Sequence, residues 1–169
     1  ENLGTGITAS GTVGAAIEGA ELGIPSIAIS LETNPDLYLS YSDEVNFDTA
    51  RHFLRYFAAK MLNGFSLDGD AAVLKVEIPS DATPETPWRV ARLEREPYFV
   101  SRRLVRERWD VPGAVPFSPM VDFEKLHPDS DAYTLRVRRE VAVTPLSLDL
   151  TARVDFSALE TSLKNGHHA

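Results

Sequence analysis

Ser10, Gly11 and Thr12 open a run of very small residues, Val13-Gly-Ala-Ala-Ile-Glu-Gly19. A helix that begins with two hydroxyls and a glycine leaves several backbone N–H groups without an intrahelical partner. The helix dipole favours negative charge at that end, so residues of these types in this order suit a phosphate cradle. A plainer role is also open: a helix N-cap with tight packing behind it. Gly14, Ala15, Ala16 and Gly19 let such a helix lie close against a sheet. Gly23 marks its stop, and Ser26-Ile-Ala-Ile-Ser30 is the short apolar run expected of a parallel strand covered on both faces.

A second ligand chemistry is suggested and rejected. Gly4-x-Gly6 with Gly11, then a helix, a strand and Glu32, mimics the dinucleotide fingerprint, in which an acid after the second strand holds a ribose. The glycine spacing is wrong for G-x-G-x-x-G. Thr8 and Ser10 occupy places where that turn needs close backbone approach, and no strand is visible before it.

Elsewhere the chemistry-bearing residues are scattered. His52 and His127 have no second His or Cys at ligand spacing and read as surface residues. His167 and His168 form only a tail pair. There is no Cys, which excludes disulfides, a thiolate nucleophile and a thiolate metal site and suits a cytoplasmic protein. Arg102, Arg103, Arg106 and Arg108 form one basic cluster and Arg136, Arg138 and Arg139 another, both expected on solvated strand faces. Glu18, inside the helix, should point away from a phosphate, into a structural ion pair. Asp149 is expected in a cap or turn.

The elements that would position the cradle can be read along the chain. Phe47 to Leu62 has apolar residues at helical spacing, with Asp48 as N-cap and Asn63-Gly64 as stop. Asn34-Pro35-Asp36 signals a turn. Val73 to Ile78 alternates and ends at Pro79, which reads as a strand near a sheet edge. Tyr98-Phe99-Val100 is a strand candidate, and Pro112 to Pro119 can be neither helix nor central strand. Ala132 to Val143 alternates, with Tyr133, Leu135 and Val137 on one face. Leu148 to Leu150 reads as extended and Asp155 to Leu163 as a short helix. These readings give residues 1–85 as an α/β core, 86–143 as a β-rich arm, and 144–169 as a C-terminal segment with a short helix.

The 169 residues are 43% hydrophobic and 25% charged, a globular composition with enough length for a sizeable core. No run approaches a membrane span and no signal peptide is visible, so no membrane partner is expected. A net charge of −8 argues against broad nucleic-acid binding, and no duplex partner is expected.

Asn2-Leu-Gly4, Ser10-Gly-Thr-Val-Gly-Ala-Ala, Glu18-Gly19 and Gly23-Ile-Pro-Ser-Ile-Ala-Ile-Ser30 together resemble the signature of the SurE family of divalent-metal-dependent nucleoside monophosphate phosphatases. Val141-Ala-Val-Thr-Pro-Leu-Ser-Leu-Asp-Leu-Thr151 is similar to that family's "VSVTPLSLDLT" segment. Val73-Leu-Lys-Val-Glu-Ile-Pro79 is more loosely similar to "LNVNVP", and Asp129-Ser-Asp-Ala-Tyr133 to a "TDVYA"-like run. Lys75 and Glu77 depart from the pattern, which often has Asn there.

The resemblance implies a Rossmann-like three-layer α/β fold with a β-hairpin arm and a C-terminal tail, and hydrolysis of nucleoside 5'-monophosphates to nucleoside and phosphate. It implies Asn2, Ser10, Gly11 and Thr12 as the substrate-phosphate ligands, and a divalent ion, Mg2+ or Mn2+, as cofactor. The family's metal-binding acids, in an Asn-Asp-Asp-Gly strand, find no match in the chain and are expected upstream of Glu1. The chain then reads as the C-terminal two-thirds of such a protein, with no metal ligands and no activity alone. A homodimer or homotetramer is expected, joined through arm and tail. The competing class is a non-catalytic phosphate- or nucleotide-binding or assembly protein of the same fold.

Overall fold

Helix formation begins where the small-residue run predicts. Ser10 sits in an extended conformation and its Oγ accepts from the Val13 N–H, capping α1 (Gly11–Glu21). The computed structural model describes residues 1–34, 37, 44–67, 69–96, 98–101, 108, 110–111, 117–119 and 122–165. The expected Asn34-Pro35-Asp36 turn, Arg102, Arg103, Arg106, most of Pro112 to Pro119, and His167-His168 lie outside the described residues. A 3-10 segment (Gly4–Ala9) precedes α1. After it come β1 (Ser26–Leu31), α2 (Asp48–Leu62), β2 (Ala71–Ile78), β3 (Trp88–Val90), β4 (Phe99–Ser101) and β5 (Phe117–Pro119). A 3-10 turn (Phe123–Lys125), α3 (Asp131–Arg136), β6 (Val141–Ser147) and α4 (Phe156–Lys164) complete the order. No helix of the described residues is long and apolar enough to cross a membrane.

Four strands form a mixed sheet in the order β1-β2-β6-β3. β1 runs parallel to β2, β6 antiparallel to β2, and β3 parallel to β6. Strand alternation sends successive side chains to opposite faces. On one face Val73 and Ala28 meet Val13 and Ala16 of α1, with Leu146 of β6. On the other, Leu74, Val76, Ile78, Val141 and Val143 meet Phe53 and Phe57 of α2. Burial of each phenylalanine is worth roughly 1.5–3 kcal/mol. The two helices thus cover opposite faces, an α/β arrangement.

Three expectations change. β2 is an interior strand, not one near an edge: Pro79 falls one residue past its end, so the missing donor interrupts no ladder. Asp48 is not the cap of α2; Phe47 holds that position, and Asn46 Oδ1 accepts the Asp48 N–H at 2.8 Å. Ala132 to Val137 is not extended. Ser130 Oγ caps Tyr133 N–H at 3.1 Å, and Asp131, Ala132, Thr134 and Leu135 are buried at helical spacing. In so short a run the cap outweighs the alternation: Leu135 is buried while Val137, two residues on, is exposed.

The span expected as an arm, 86–143, divides. β3 and the start of β6 are in the main sheet, with the Trp88 ring 5.5 Å from that of Phe57. α3 packs through Ala132 and Leu135 onto Leu3, Tyr98 and Leu126. Among the described residues β4 and β5 pair only with each other.

Gly19 sets how closely α1 approaches the sheet. A Cβ there would lie 2.7 Å from Ser26 Oγ, which is itself engaged with the Ile24 carbonyl at 2.9 Å. Gly19→Ala should therefore destabilise by roughly 1–2 kcal/mol, even after the ~1 kcal/mol helix-propensity gain. Adding Ser26→Ala, which removes the colliding oxygen, should recover most of that loss in urea unfolding. Unchanged stability in Gly19→Ala would contradict the close approach.

Candidate phosphate-binding site

Geometry brings the ends of α1 and β1 together. Gly23, at φ +74°, turns the chain back, and the Ile24 N–H bonds the Gly19 carbonyl at 3.1 Å. Helix α1 then runs antiparallel to β1 with Gly19 against Ser26. From Gly19 back to Gly11 the helix climbs about 12 Å. From Ser26 to Ser30 the strand covers about 13 Å. The N-terminus of α1 therefore reaches the carboxyl end of the parallel strands, where open α/β sheets bind ligands.

The four sequence-derived site residues fall at this end. Ser10 Oγ accepts the Val13 N–H as the cap, which leaves its hydroxyl hydrogen free to donate to a ligand. Gly11 and Thr12 are exposed, and their N–H groups have no hydrogen-bond partner among the described residues. Asn2 is half-buried, and its Nδ2 donates to Ser30 Oγ at 2.7 Å, which fixes it over the end of β1.

Beneath Asn2 lies a charged cluster that the sequence reading did not treat as part of the site. Lys75 and Glu77 are both fully buried, on the α1 face of β2. The Lys75 ammonium donates to the Asn2 carbonyl at 2.8 Å and to Asp131 Oδ2 at 3.0 Å. Glu77 Oε2 accepts the Asn2 N–H at 2.8 Å, and its Oε1 lies 3.7 Å from Lys75 Nζ without a hydrogen bond. Asp131, also fully buried, accepts N–H groups from Gly4 at 3.1 Å, Glu94 at 2.9 Å and Ala132 at 2.8 Å. Gly4 is at φ +55°, and a Cβ there would meet the Glu94 carbonyl oxygen at 3.0 Å, so only glycine brings its N–H to Asp131. The available signal was two charges at alternate positions of an apolar strand, Val73-Leu-Lys-Val-Glu-Ile78.

A second ionic group closes the neighbouring rim. Glu32, just past β1, pairs with Arg136 and Arg139, and its Oε2 accepts the Ser80 N–H at 2.9 Å. Burial would raise the Glu32 carboxyl, but the Arg139 and Ser80 hydrogen bonds and the two guanidinium charges outweigh it and hold it below its ordinary value. Arg136 also pairs with Glu1, and Arg139 with Asp81. These arginines are therefore not on a solvated strand face; Arg138, over the Tyr133 ring, stays outside the ionic group. The ribose-binding role weighed for Glu32 is closed off by the same pairs.

The remaining candidates lie elsewhere. Glu18 is exposed and has no ion pair among the described residues, contrary to expectation. His52 is exposed on α2, and His127 Nδ1 accepts the Asp129 N–H at 3.2 Å. Asp149 takes the turn role: Oδ1 accepts the Thr151 N–H at 2.8 Å and Oδ2 pairs with Arg153. Among the described residues no group of three His, Cys, Asp or Glu could hold a metal ion.

Burial pushes the Glu77 carboxyl up to about 7, against the opposing pull of Lys75. Between its ordinary value of 4.5 and about 7, the folded protein holds a proton that the unfolded chain releases. Glu77 therefore stabilises the fold fully below pH 4.5, and that contribution is lost as pH rises through about 7. The change should be on the order of 3 kcal/mol. Glu77→Gln should flatten the stability curve between pH 5 and about 8 in urea unfolding. A variant with the unaltered slope would remove Glu77 as its source.

The family described as Survival protein SurE matches residues 1–99. The 5'-nucleotidase SurE of Thermococcus gammatolerans is 44% identical over 168 residues, 96% of this chain and 60% of that protein. The corresponding protein of Thermococcus kodakarensis is 41% identical over 165 residues, covering 96% of this chain and 62% of its own. The crystal structure of the SurE protein from Aquifex aeolicus superposes with a TM-score of 0.71 at 26% identity, over 95% of this chain and 60% of that one. The chain thus spans about 60% of the length of the relatives it matches. A family match over more than half of the chain, with relatives above 40% identity along nearly all of it, places the chain in the SurE family.

Proposed function

We propose that the protein is a divalent-metal-dependent 5'-nucleotidase that hydrolyses nucleoside 5'-monophosphates, and that this chain supplies its substrate-phosphate site. The observation that carries the reading is the pair of free N–H groups at Gly11 and Thr12, aimed from the positive end of α1 over the strand end where Asn2 is held. The names of the relatives support it. In this scheme Gly11 and Thr12 donate backbone N–H groups to phosphoryl oxygens, Thr12 adds its hydroxyl and Asn2 its amide. Ser10 fixes the helix end by capping Val13. Donors set in place before reaction stabilise charge as it shifts in the transition state. The sheet with α1 and α2 on opposite faces reads as part of a three-layer Rossmann-like core.

The acids of this site do not fit a metal. Asp131 is saturated by three N–H groups and an ammonium, and Glu77 lies beside the same ammonium. The proposed Mg2+ or Mn2+ therefore takes its ligands from outside the described residues.

Thr12→Ala should weaken inorganic phosphate binding and raise KM, each by about 5- to 150-fold, the effect of losing a hydrogen bond to a charged group. Calorimetry and steady-state kinetics on the intact protein with Mn2+ check this. Unchanged phosphate affinity would remove α1 as the site. Phosphate binding without turnover in the wild type would favour a non-catalytic nucleotide-binding protein.

We also propose that the protein is at least a dimer, assembled through its C-terminal segment. α4 has no buried residue, and Phe156, Leu159 and Leu163 place an exposed apolar stripe on it; Leu150 before it is 94% exposed. A stripe of this kind on an extension marks a contact surface. Light scattering should give a dimer or larger species at micromolar concentration, and deletion from Leu150 onward should shift it toward monomer. A monomeric wild type refutes the assembly, and a dimer that survives the deletion places the contact elsewhere.

A further inference from the structure

We infer that Lys75 and Glu77 are positioning residues that grip the Asn2 backbone on either side of its Cα and so hold the Asn2 amide where it meets substrate phosphate. The inference rests on the assignment of Asn2 to the phosphate site. Glu77 Oε2 takes the Asn2 N–H and Lys75 Nζ donates to the Asn2 carbonyl, both at 2.8 Å. Both side chains come from one strand face and are fully buried, and they converge on the backbone of a single residue, one on each of the two peptide groups that flank its Cα.

Burial of this kind is unfavourable unless each charge is paired and hydrogen-bonded, and well-packed apolar residues of similar volume are often as stable or more so. Glu77 is not fully compensated. Among the described residues its Oε1 has no hydrogen-bond partner, and its one side-chain hydrogen bond is to Asn2. An unpaired buried carboxyl oxygen is a cost that apolar packing alone does not call for. Lys75 has a second anchor in Asp131, which also holds the Gly4 N–H two residues beyond Asn2. The grip therefore extends from β2 through Asn2 into the turn that leads to α1. With Ser30 on its side chain, Asn2 is tethered at three points: N–H, carbonyl and amide.

The test is a set of inorganic phosphate titrations by calorimetry on the intact protein, each variant first checked for a cooperative thermal melt. Glu77→Leu removes the acceptor and should weaken phosphate binding about tenfold. Glu77→Gln keeps an oxygen for the Asn2 N–H and should stay within about threefold of wild type. In an Asn2→Ala background, Glu77→Leu should change affinity less than about twofold, because the group it positions is gone. If Glu77→Leu does not fold, Glu77→Met serves in its place, with the same missing acceptor on a more adaptable side chain. Failure of both to fold makes Glu77 a structural residue and overturns the inference. So does an unaltered affinity in Glu77→Leu, or an equal loss with and without the Asn2 side chain. Asn2→Ala with wild-type affinity instead overturns the assignment of Asn2 and the inference with it. Loss in Asn2→Ala with full additivity leaves that assignment intact and overturns the inference alone.

Discussion

One buried ammonium holds the site end of this fold together. Lys75 reaches from the interior of β2 to Asn2 near the start of the chain and to Asp131 at the head of α3. Segments remote in sequence thus meet at one charge in a dry environment. Deleting one partner of a buried pair typically costs about 3–5 kcal/mol, because the other charge is stranded. Asp131 spreads the constraint, since its oxygens order Gly4, Glu94 and Ala132 at once. Glu94 extends it again, through the His127 N–H at 3.0 Å and the Arg95 N–H at 2.8 Å. The turn before α1 and the loop before α3 are in this way fixed by hydrogen bonds to buried carboxylates as well as by the apolar packing of Leu3 and Leu126.

Above that anchor, the phosphate end depends on how little side chain α1 carries. Val13 and Ala16 are its buried residues, and Gly19 admits Ser26 at a distance that any Cβ would close. Small residues bring the helix axis down onto β1 and β2, and the turn at Gly23 sets its direction. The position of the free N–H groups at the opposite end is then a consequence of the same packing. Structure and proposed function share one cause: the residues that let the helix lie flat also place its positive end over the strand termini.

Much of this was legible in order and type. The cap at Ser10, the glycine stop, β1, α2 and β2 all follow from residues whose local chemistry agrees with their surroundings. The misreadings have a common physical origin. At Ala132 to Val137 the same short run offers both an alternating set and a helical one, Asp131, Ala132, Thr134 and Leu135, and the Ser130 cap goes with the helical one. At β2 the proline suggested an edge, but its place one residue past the strand removed the penalty. Lys75, Glu77 and Asp131 were visible as residues and not as a cluster, because nothing local reveals that charges so far apart in sequence share one buried space. Arg136 and Arg139 were misjudged for the same reason, their partners Glu1, Glu32 and Asp81 lying on other elements.

The central claim is that α1 and Asn2 form one anion site built on the Lys75 anchor. A crystal structure of the intact protein soaked with inorganic phosphate tests it most directly. The account predicts phosphate oxygens within hydrogen-bond distance of the Gly11 and Thr12 N–H groups and of the Asn2 amide, with the Lys75–Asn2–Glu77 contacts unchanged. Phosphate bound away from the α1 N-terminus, or bound there with Asn2 turned aside, would contradict it.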